Sequence, residues 1–139
     1  MNPEEYINNE CEKFLSLCRE IKYDAKLTYI LEEITQLDKA RDQAIKEKWP
    51  KGTPPELENS IAIQWGAVFS RMLAGSYTSK WSVDPKTKTP IVIIKCAQQA
   101  TQVQAMLLGA QAFNDGTSFA DLANELVVHL AKQGAEEKN

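Results

Sequence analysis

The middle of the chain carries basic, aromatic and hydroxyl side chains of the kinds that contact nucleic acid. The candidate residues are Arg71, Tyr77, Lys80, Trp81, Lys86, Lys88 and Lys95, with serines and threonines between them. Lysine and arginine attract phosphate, hydroxyl groups donate to phosphate oxygens, and exposed aromatic rings stack on bases. The pattern therefore predicts a sequence-independent contact with nucleic acid. The same composition is also typical of a solvated loop into which a tryptophan folds back, and this alternative stays open.

The charge distribution favours external partners for this part of the chain. Residues 61–110 hold five Lys or Arg residues and a single acid, Asp84, whereas residues 1–60 and 111–139 are both acidic, and the net charge is −3. Such asymmetry concerns partners rather than fold. We expect other protein subunits and an RNA or DNA backbone as partners. We expect no membrane, because no apolar run approaches the ~18 residues that span a bilayer.

The remaining reactive residue types form no catalytic or metal-binding pattern. His129 is the only histidine, and no cysteine or carboxylate lies near it at a spacing typical of metal ligands. Phosphate-loop and dinucleotide motifs are absent. Asp38 and Asp42 share a helix face, but the basic residues between them favour a solvated charged face, to which Glu32 and Glu33 also belong. We expect no enzyme activity, no metal and no cofactor.

Five segments with helical periodicity must position the basic band. The predicted helices span about 3–21, 25–48, 54–74, 91–113 and 118–133, and a basic connector spans 76–89. The run Ile91-Val92-Ile93-Ile94 also fits a short buried strand, but the proline-free segment that follows it favours one long helix. The expected fold is all-α, a compact five-helix bundle forming a single helical domain over 1–139.

Capping residues and apolar stripes define these helices further. Asn2 precedes Pro3 at the start of the first helix, and Thr117 or Ser118 begins the last. The stripes predict a buried core, which includes Phe14, Ile34, Trp65, Met72, Leu107 and Leu126.

The cysteines indicate a reducing compartment. Cys11, Cys18 and Cys96 are odd in number and widely spaced, so they do not form a disulfide framework. The acidic start, Met1 to Glu5, lacks the basic and apolar regions of a signal peptide. We therefore expect a cytoplasmic protein.

In length, helix plan and basic band, the chain resembles the small subunits of type I CRISPR effector (Cascade) complexes. The resemblance implies a helical bundle that contacts neighbouring subunits and helps to hold DNA during antiviral defence. The residues that would take this role are Arg71, Lys80, Lys86, Lys88 and Lys95. The chain departs from a free-standing nucleic-acid binder in its acidic pI of about 5.2.

Two functional hypotheses follow from the sequence. The first is a non-catalytic helical subunit of a nucleoprotein complex that contacts a nucleic-acid backbone through the basic band. The alternative is a protein-only interaction module, such as an adaptor, an assembly factor or a phage structural protein. In that case Trp81, Val83 and Ile91 to Ile94 would form a hydrophobic docking patch. Salt dependence separates the two, because phosphate binding weakens steeply as salt rises.

Overall fold

The computed structural model describes residues 1–138 and combines α-helices with a three-stranded antiparallel sheet. The all-α prediction is therefore wrong, and the protein is mixed α and β. In chain order the elements are α1 (Pro3–Glu20), a short 3-10 helix (Leu31–Glu33), α2 (Thr35–Glu47), α3 (Glu58–Ser76), β1 (Ser79–Val83), β2 (Pro90–Ile94), β3 (Thr101–Val103), α4 (Ala105–Asp115) and α5 (Phe119–Lys132).

The sheet replaces the basic connector and the first half of the predicted 91–113 helix. Within β1, polar and apolar residues alternate from Lys80 to Val83, which is the period of a half-buried strand. Pro90 opens β2, where its missing N–H costs least, and β-branched residues fill the rest of that strand. The strand order is β1-β2-β3, with Trp81 opposite Val92 and Val92 opposite Val103. The prediction therefore fails for all three strands and not only for Ile91–Ile94.

One face of the sheet packs on the helices. Val92, Ile94 and Val103 point to this inner face and are buried in the main hydrophobic core. Side chains alternate along a strand, so Lys80, Ile93 and Gln102 lie on the opposite, outer face. The inner face is therefore covered, whereas the outer face is exposed at Lys80 and Gln102 but buries Ile91.

The helix predicted over 25–48 is shorter in the structure, since α2 begins at Thr35, ten residues after the predicted start. The preceding segment is irregular, and Tyr29 adopts a left-handed φ of 63°. The Glu33 carboxylate accepts hydrogen bonds from the backbone N–H groups of Thr28 at 2.9 Å and Tyr29 at 2.8 Å. Such bonds offer the backbone a partner outside a helix. The prediction that Glu33 belongs to a solvated charged face is therefore wrong.

Glu33 makes stability depend on pH. Partial burial raises its pKa, but hydrogen bonds from Thr28, Ile30 and Tyr29 outweigh that effect and hold the pKa below its ordinary value. A lowered pKa means that the stabilisation is complete above the unfolded-state pKa of about 4.3 and is lost as pH falls through the folded-state pKa.

Glu33→Gln is expected to lower the free energy of unfolding by about 1 kcal/mol at neutral pH, a value reduced for solvent screening. Denaturant melts should show this difference shrinking as the solution is acidified below about pH 4. Glu32→Gln is the matched control, because Glu32 is exposed and its side chain makes no hydrogen bond within residues 1–138. A pH-independent difference for Glu33→Gln would contradict the assignment.

The core is centred on α3. Trp65 is fully buried, and its ring meets Phe14 edge-on at 4.9 Å and Phe113 at 4.7 Å between centroids. Phe14, Ile34, Trp65 and Met72 are buried as predicted. Leu107 and Leu126 are partly buried and pack against this core.

Two more charged residues, Asp38 and Arg41, also have a structural role. Asp38 accepts hydrogen bonds from the N–H groups of Phe119 at 2.7 Å and Ala120 at 3.1 Å, and thereby caps α5. Arg41 is buried and donates to the carbonyl oxygens of Ala112 at 3.1 Å and Thr117 at 2.8 Å. These contacts join α2 to the α4–α5 turn, so Asp38 too was wrongly assigned to a solvated face.

Candidate interaction surface

The β1–β2 hairpin carries four of the five basic residues of the band. Lys80 lies within β1, Lys86 and Lys88 lie in the turn between the strands, and Lys95 follows β2 directly. All four are exposed. The hairpin therefore gathers on one element the charges that the sequence spreads over sixteen positions.

Asp84, the single acid of the band, shapes the turn. Its carboxylate accepts hydrogen bonds from the N–H groups of Lys86 at 2.7 Å and Thr87 at 3.3 Å, and Gln104 donates to its other oxygen. The bond from Lys86 is the main cause that lowers the pKa of Asp84. The ammonium groups of Lys86 and Lys88 form no ion pair with this or any other carboxylate of residues 1–138.

Two of these four lysines, Lys80 and Lys95, lie beside the outer face of the sheet. Lys80 lies opposite Ile93, and both line a shallow cavity of about 310 Å³ with Lys95 and Cys96. Lys95 forms an ion pair with Glu136 at 3.3 Å, and that contact contributes to a lowered pKa of Glu136, after the hydrogen bond from Thr78. Lys95 is therefore partly neutralised, whereas Lys80 is not.

The two aromatic residues do not stand among these lysines as exposed rings. Tyr77 is 4% exposed, and its backbone forms a bridge with Glu137. Trp81 is half-buried and points to the inner face, because its neighbour Lys80 points outward. A buried ring has no free face for a base, so the structure leaves Tyr77 without the predicted stacking role.

Arg71 lies apart from the hairpin lysines. It belongs to α3, and its guanidinium carbon stacks over the Tyr29 ring at 3.8 Å from the centroid. Together with Trp81 and Lys138 it lines a cavity of about 230 Å³. Arg71 thus lies on a different element from the hairpin lysines, although the cavity that it lines adjoins one that Lys80 lines.

Lys138 is a cation that the sequence analysis missed, since the end of the chain has no helical or strand pattern. The tail is held by backbone bonds from Thr78 N–H to Glu136 O at 2.8 Å and from Glu136 N–H to Lys95 O at 2.9 Å. The Lys138 ammonium donates to the Ala74 carbonyl at 3.2 Å. No local signal in the sequence indicates this docking.

The hydrophobic docking patch of the alternative hypothesis is mostly internal. Ile91, Val92 and Ile94 are buried within the fold. Only Ile93, Trp81 and Val83 keep partial exposure. As an exposed apolar patch over Ile91–Ile94, that prediction is wrong.

Metal ligands, the histidine and the cysteines are the other reactive groups that the sequence brings into question. Residues 1–138 contain no group of three His, Cys, Asp or Glu side chains placed to hold a metal ion. His129 is exposed on α5. Burial raises the pKa of the Cys11 and Cys18 thiols to about 12, so both are protonated at neutral pH. None of the helices in residues 1–138 has the length and apolar character needed to cross a bilayer.

Comparisons with protein-family models, with curated proteins and with solved structures found no match to this chain.

Proposed function

We propose that this protein is a non-catalytic subunit of a nucleoprotein assembly and that its β1–β2 hairpin contacts a nucleic-acid backbone. One observation carries the proposal. Lys80, Lys86 and Lys88 are exposed on one hairpin, and none of the three has a carboxylate within ion-pair distance in residues 1–138. Free ammonium groups at intervals along a strand and its turn suit successive phosphates.

The chemistry of this contact would be independent of sequence. Lysine supplies a point charge. The Thr87 and Thr89 hydroxyl groups beside Lys88 are hydrogen-bonded to each other at 2.6 Å, which leaves one of them free to donate to a phosphate oxygen. No exposed aromatic ring accompanies the hairpin lysines, so base stacking has no part in the proposal. Because the whole chain has a net charge of −3, neighbouring subunits would complete the groove.

A type I CRISPR effector complex is one assembly in which such a subunit would serve. Chain length and the basic hairpin support this form of the proposal, whereas the helix plan no longer does, because a sheet replaces part of it. The proposal includes a cytoplasmic location, which the free thiols of Cys11, Cys18 and Cys96 support.

Salt-dependent binding of a short single-stranded RNA and of a DNA duplex tests the proposal. Each phosphate contact contributes about 0.7–0.9 unit to the slope of log K against log salt. Lys86→Glu with Lys88→Glu should lower that slope by about 1.4–1.8 units and weaken binding alike for all sequences. Fluorescence anisotropy at several salt concentrations measures both quantities.

The matched control is Lys39→Glu with Lys46→Glu, which makes the same change in net charge on the exposed side of α2. An equal loss of slope in the hairpin and control variants would show only a net-charge effect and would contradict a hairpin site. Both variants should be assayed as free subunits and within any assembly that co-purifies with the chain.

A protein-only interaction module remains the second candidate. Its support is no longer an apolar patch but the open edge of the sheet at β1, which is available to another polypeptide. Absence of salt-dependent binding to either nucleic acid would leave this candidate as the better account.

A further inference from the structure

The strand β1 forms one edge of the sheet. Hydrogen bonds run from Lys95 N–H to Thr78 O and from Asp84 N–H to Thr89 O, each at 2.9 Å. In an antiparallel ladder such pairs alternate, so even-numbered residues of β1 bond to β2. The N–H and C=O groups of Ser79, Trp81 and Val83 therefore point away from the sheet, and no backbone partner meets them within residues 1–138.

A groove accompanies this edge. A cavity of about 740 Å³ separates Ser79 and Trp81 from the first residues of α1, among them Asn2 and Glu4. The smaller cavity that contains Arg71 adjoins it, because Glu4, Trp81 and Lys138 line both. The open edge thus leads into a recess on the inner side of β1.

The recess is cationic. Arg71, Lys80 and Lys138 line the two cavities against a single acid, Glu4. Arg71 is half-buried on the Tyr29 ring, and no carboxylate in residues 1–138 lies within ion-pair distance of it. A guanidinium group that is partly removed from water and unpaired favours a carboxylate ligand.

We propose that the β1 edge and this recess bind an extended acidic segment of a partner protein. The segment adds a strand to the sheet by pairing its backbone with Ser79, Trp81 and Val83. One of its carboxylates reaches Arg71, and its charge matches the cations of the recess. The site shares Lys80 with the proposed nucleic-acid contact but lies apart from Lys86 and Lys88 in the hairpin turn. The inference therefore does not rest on that contact.

A labelled peptide that alternates glutamate and valine is the probe, and fluorescence anisotropy with the full chain is the measurement. We expect saturable binding. A second peptide of the same sequence, N-methylated on the backbone nitrogens that would face β1, keeps its charge but loses those donors. It should bind at least about tenfold more weakly. Equal binding of the two peptides would overturn strand addition.

Variants of the protein test strand addition at Ser79 and carboxylate binding at Arg71. Ser79→Pro removes an outward N–H at the first strand position, where proline is tolerated, and should weaken peptide binding, whereas Ser79→Ala should not. Arg71→Met should lower affinity about tenfold, and Arg71→Lys should restore part of it. Wild-type affinity in both Ser79→Pro and Arg71→Met would overturn the proposal.

Two further measurements separate this site from the hairpin. Lys86→Glu with Lys88→Glu should leave peptide binding unchanged, because both residues lie in the turn beyond the recess. In that double variant, where the proposed hairpin contact is lost, a short single-stranded RNA should not displace the peptide. Displacement by RNA would show that the recess binds phosphate and would overturn the acidic-segment proposal, whatever the outcome for the hairpin.

Discussion

Replacing Trp65 with alanine is expected to lower the free energy of unfolding by about 3–5 kcal/mol. The side chain is fully buried between Phe14 and Phe113, and its indole N–H donates to the Leu37 carbonyl at 3.0 Å. Truncation would leave a cavity between α1, α3 and α4 and remove the hydrogen bond that ties α3 to a carbonyl of α2. Urea melts followed by circular dichroism measure the loss.

Trp65→Phe separates the two contributions. It retains most of the aromatic volume and removes the indole N–H, so we expect a loss of about 1–3 kcal/mol. A loss of less than about 1 kcal/mol for Trp65→Ala would mean that the centre of the core is misassigned.

Gly66→Ala is expected to cost about 3 kcal/mol or more. The helices α3 and α4 cross in backbone contact at this residue, and an added Cβ would clash with the carbonyl of Met106. The facing Gly109 is equally confined, because a Cβ there would lie 2.7 Å from the Cα of Gly66. The neighbouring atoms belong to the backbone, so relief requires the helices to move apart.

Gly116→Ala is the control for the loss of a glycine as such. A Cβ at Gly116 meets no atom within 4 Å, although the residue has a φ of 72°. We therefore expect a cost of about 1–2 kcal/mol, from the left-handed backbone alone. Equal melting curves for the two variants would contradict the close crossing of α3 and α4.

Local signals in the sequence were sufficient for several helix boundaries. The Asn2 side chain accepts a hydrogen bond from the Glu5 N–H at 3.0 Å, and the Ser118 hydroxyl accepts one from the Asp121 N–H at 3.2 Å. Each contact joins residues three apart in the sequence, so the local sequence is enough to predict it. The helices α1 and α5 begin where these caps stand.

The sheet could not be found in the same way. Its strands are short, and β3, Thr101–Val103, lies in a stretch rich in Ala and Gln that favours helix locally. What stabilises it is pairing with β2, a contact between segments that are separate in sequence. The alternation from Lys80 to Val83 is a usable signal for a strand, but the polar and basic residues around it are also typical of a connector.

The candidate surface was predicted in composition but not in arrangement. Lysines spread over a linear stretch come together because β1 and β2 form a hairpin. Arg71 separates from them because it lies on α3, and Tyr77 is buried where the tail crosses it. Lys138 joins Arg71 only through that tail, which is a contact between distant parts of the chain.

Binding of single-stranded RNA across a range of salt concentrations, with Lys80, Lys86 and Lys88 all changed to Glu, tests the central proposal most directly. The account predicts a slope of log K against log salt about 2 units smaller than that of the wild-type chain, with affinity reduced alike for every sequence tested. Wild-type slope and affinity in the triple variant, both as free subunit and in its assembly, would contradict the account.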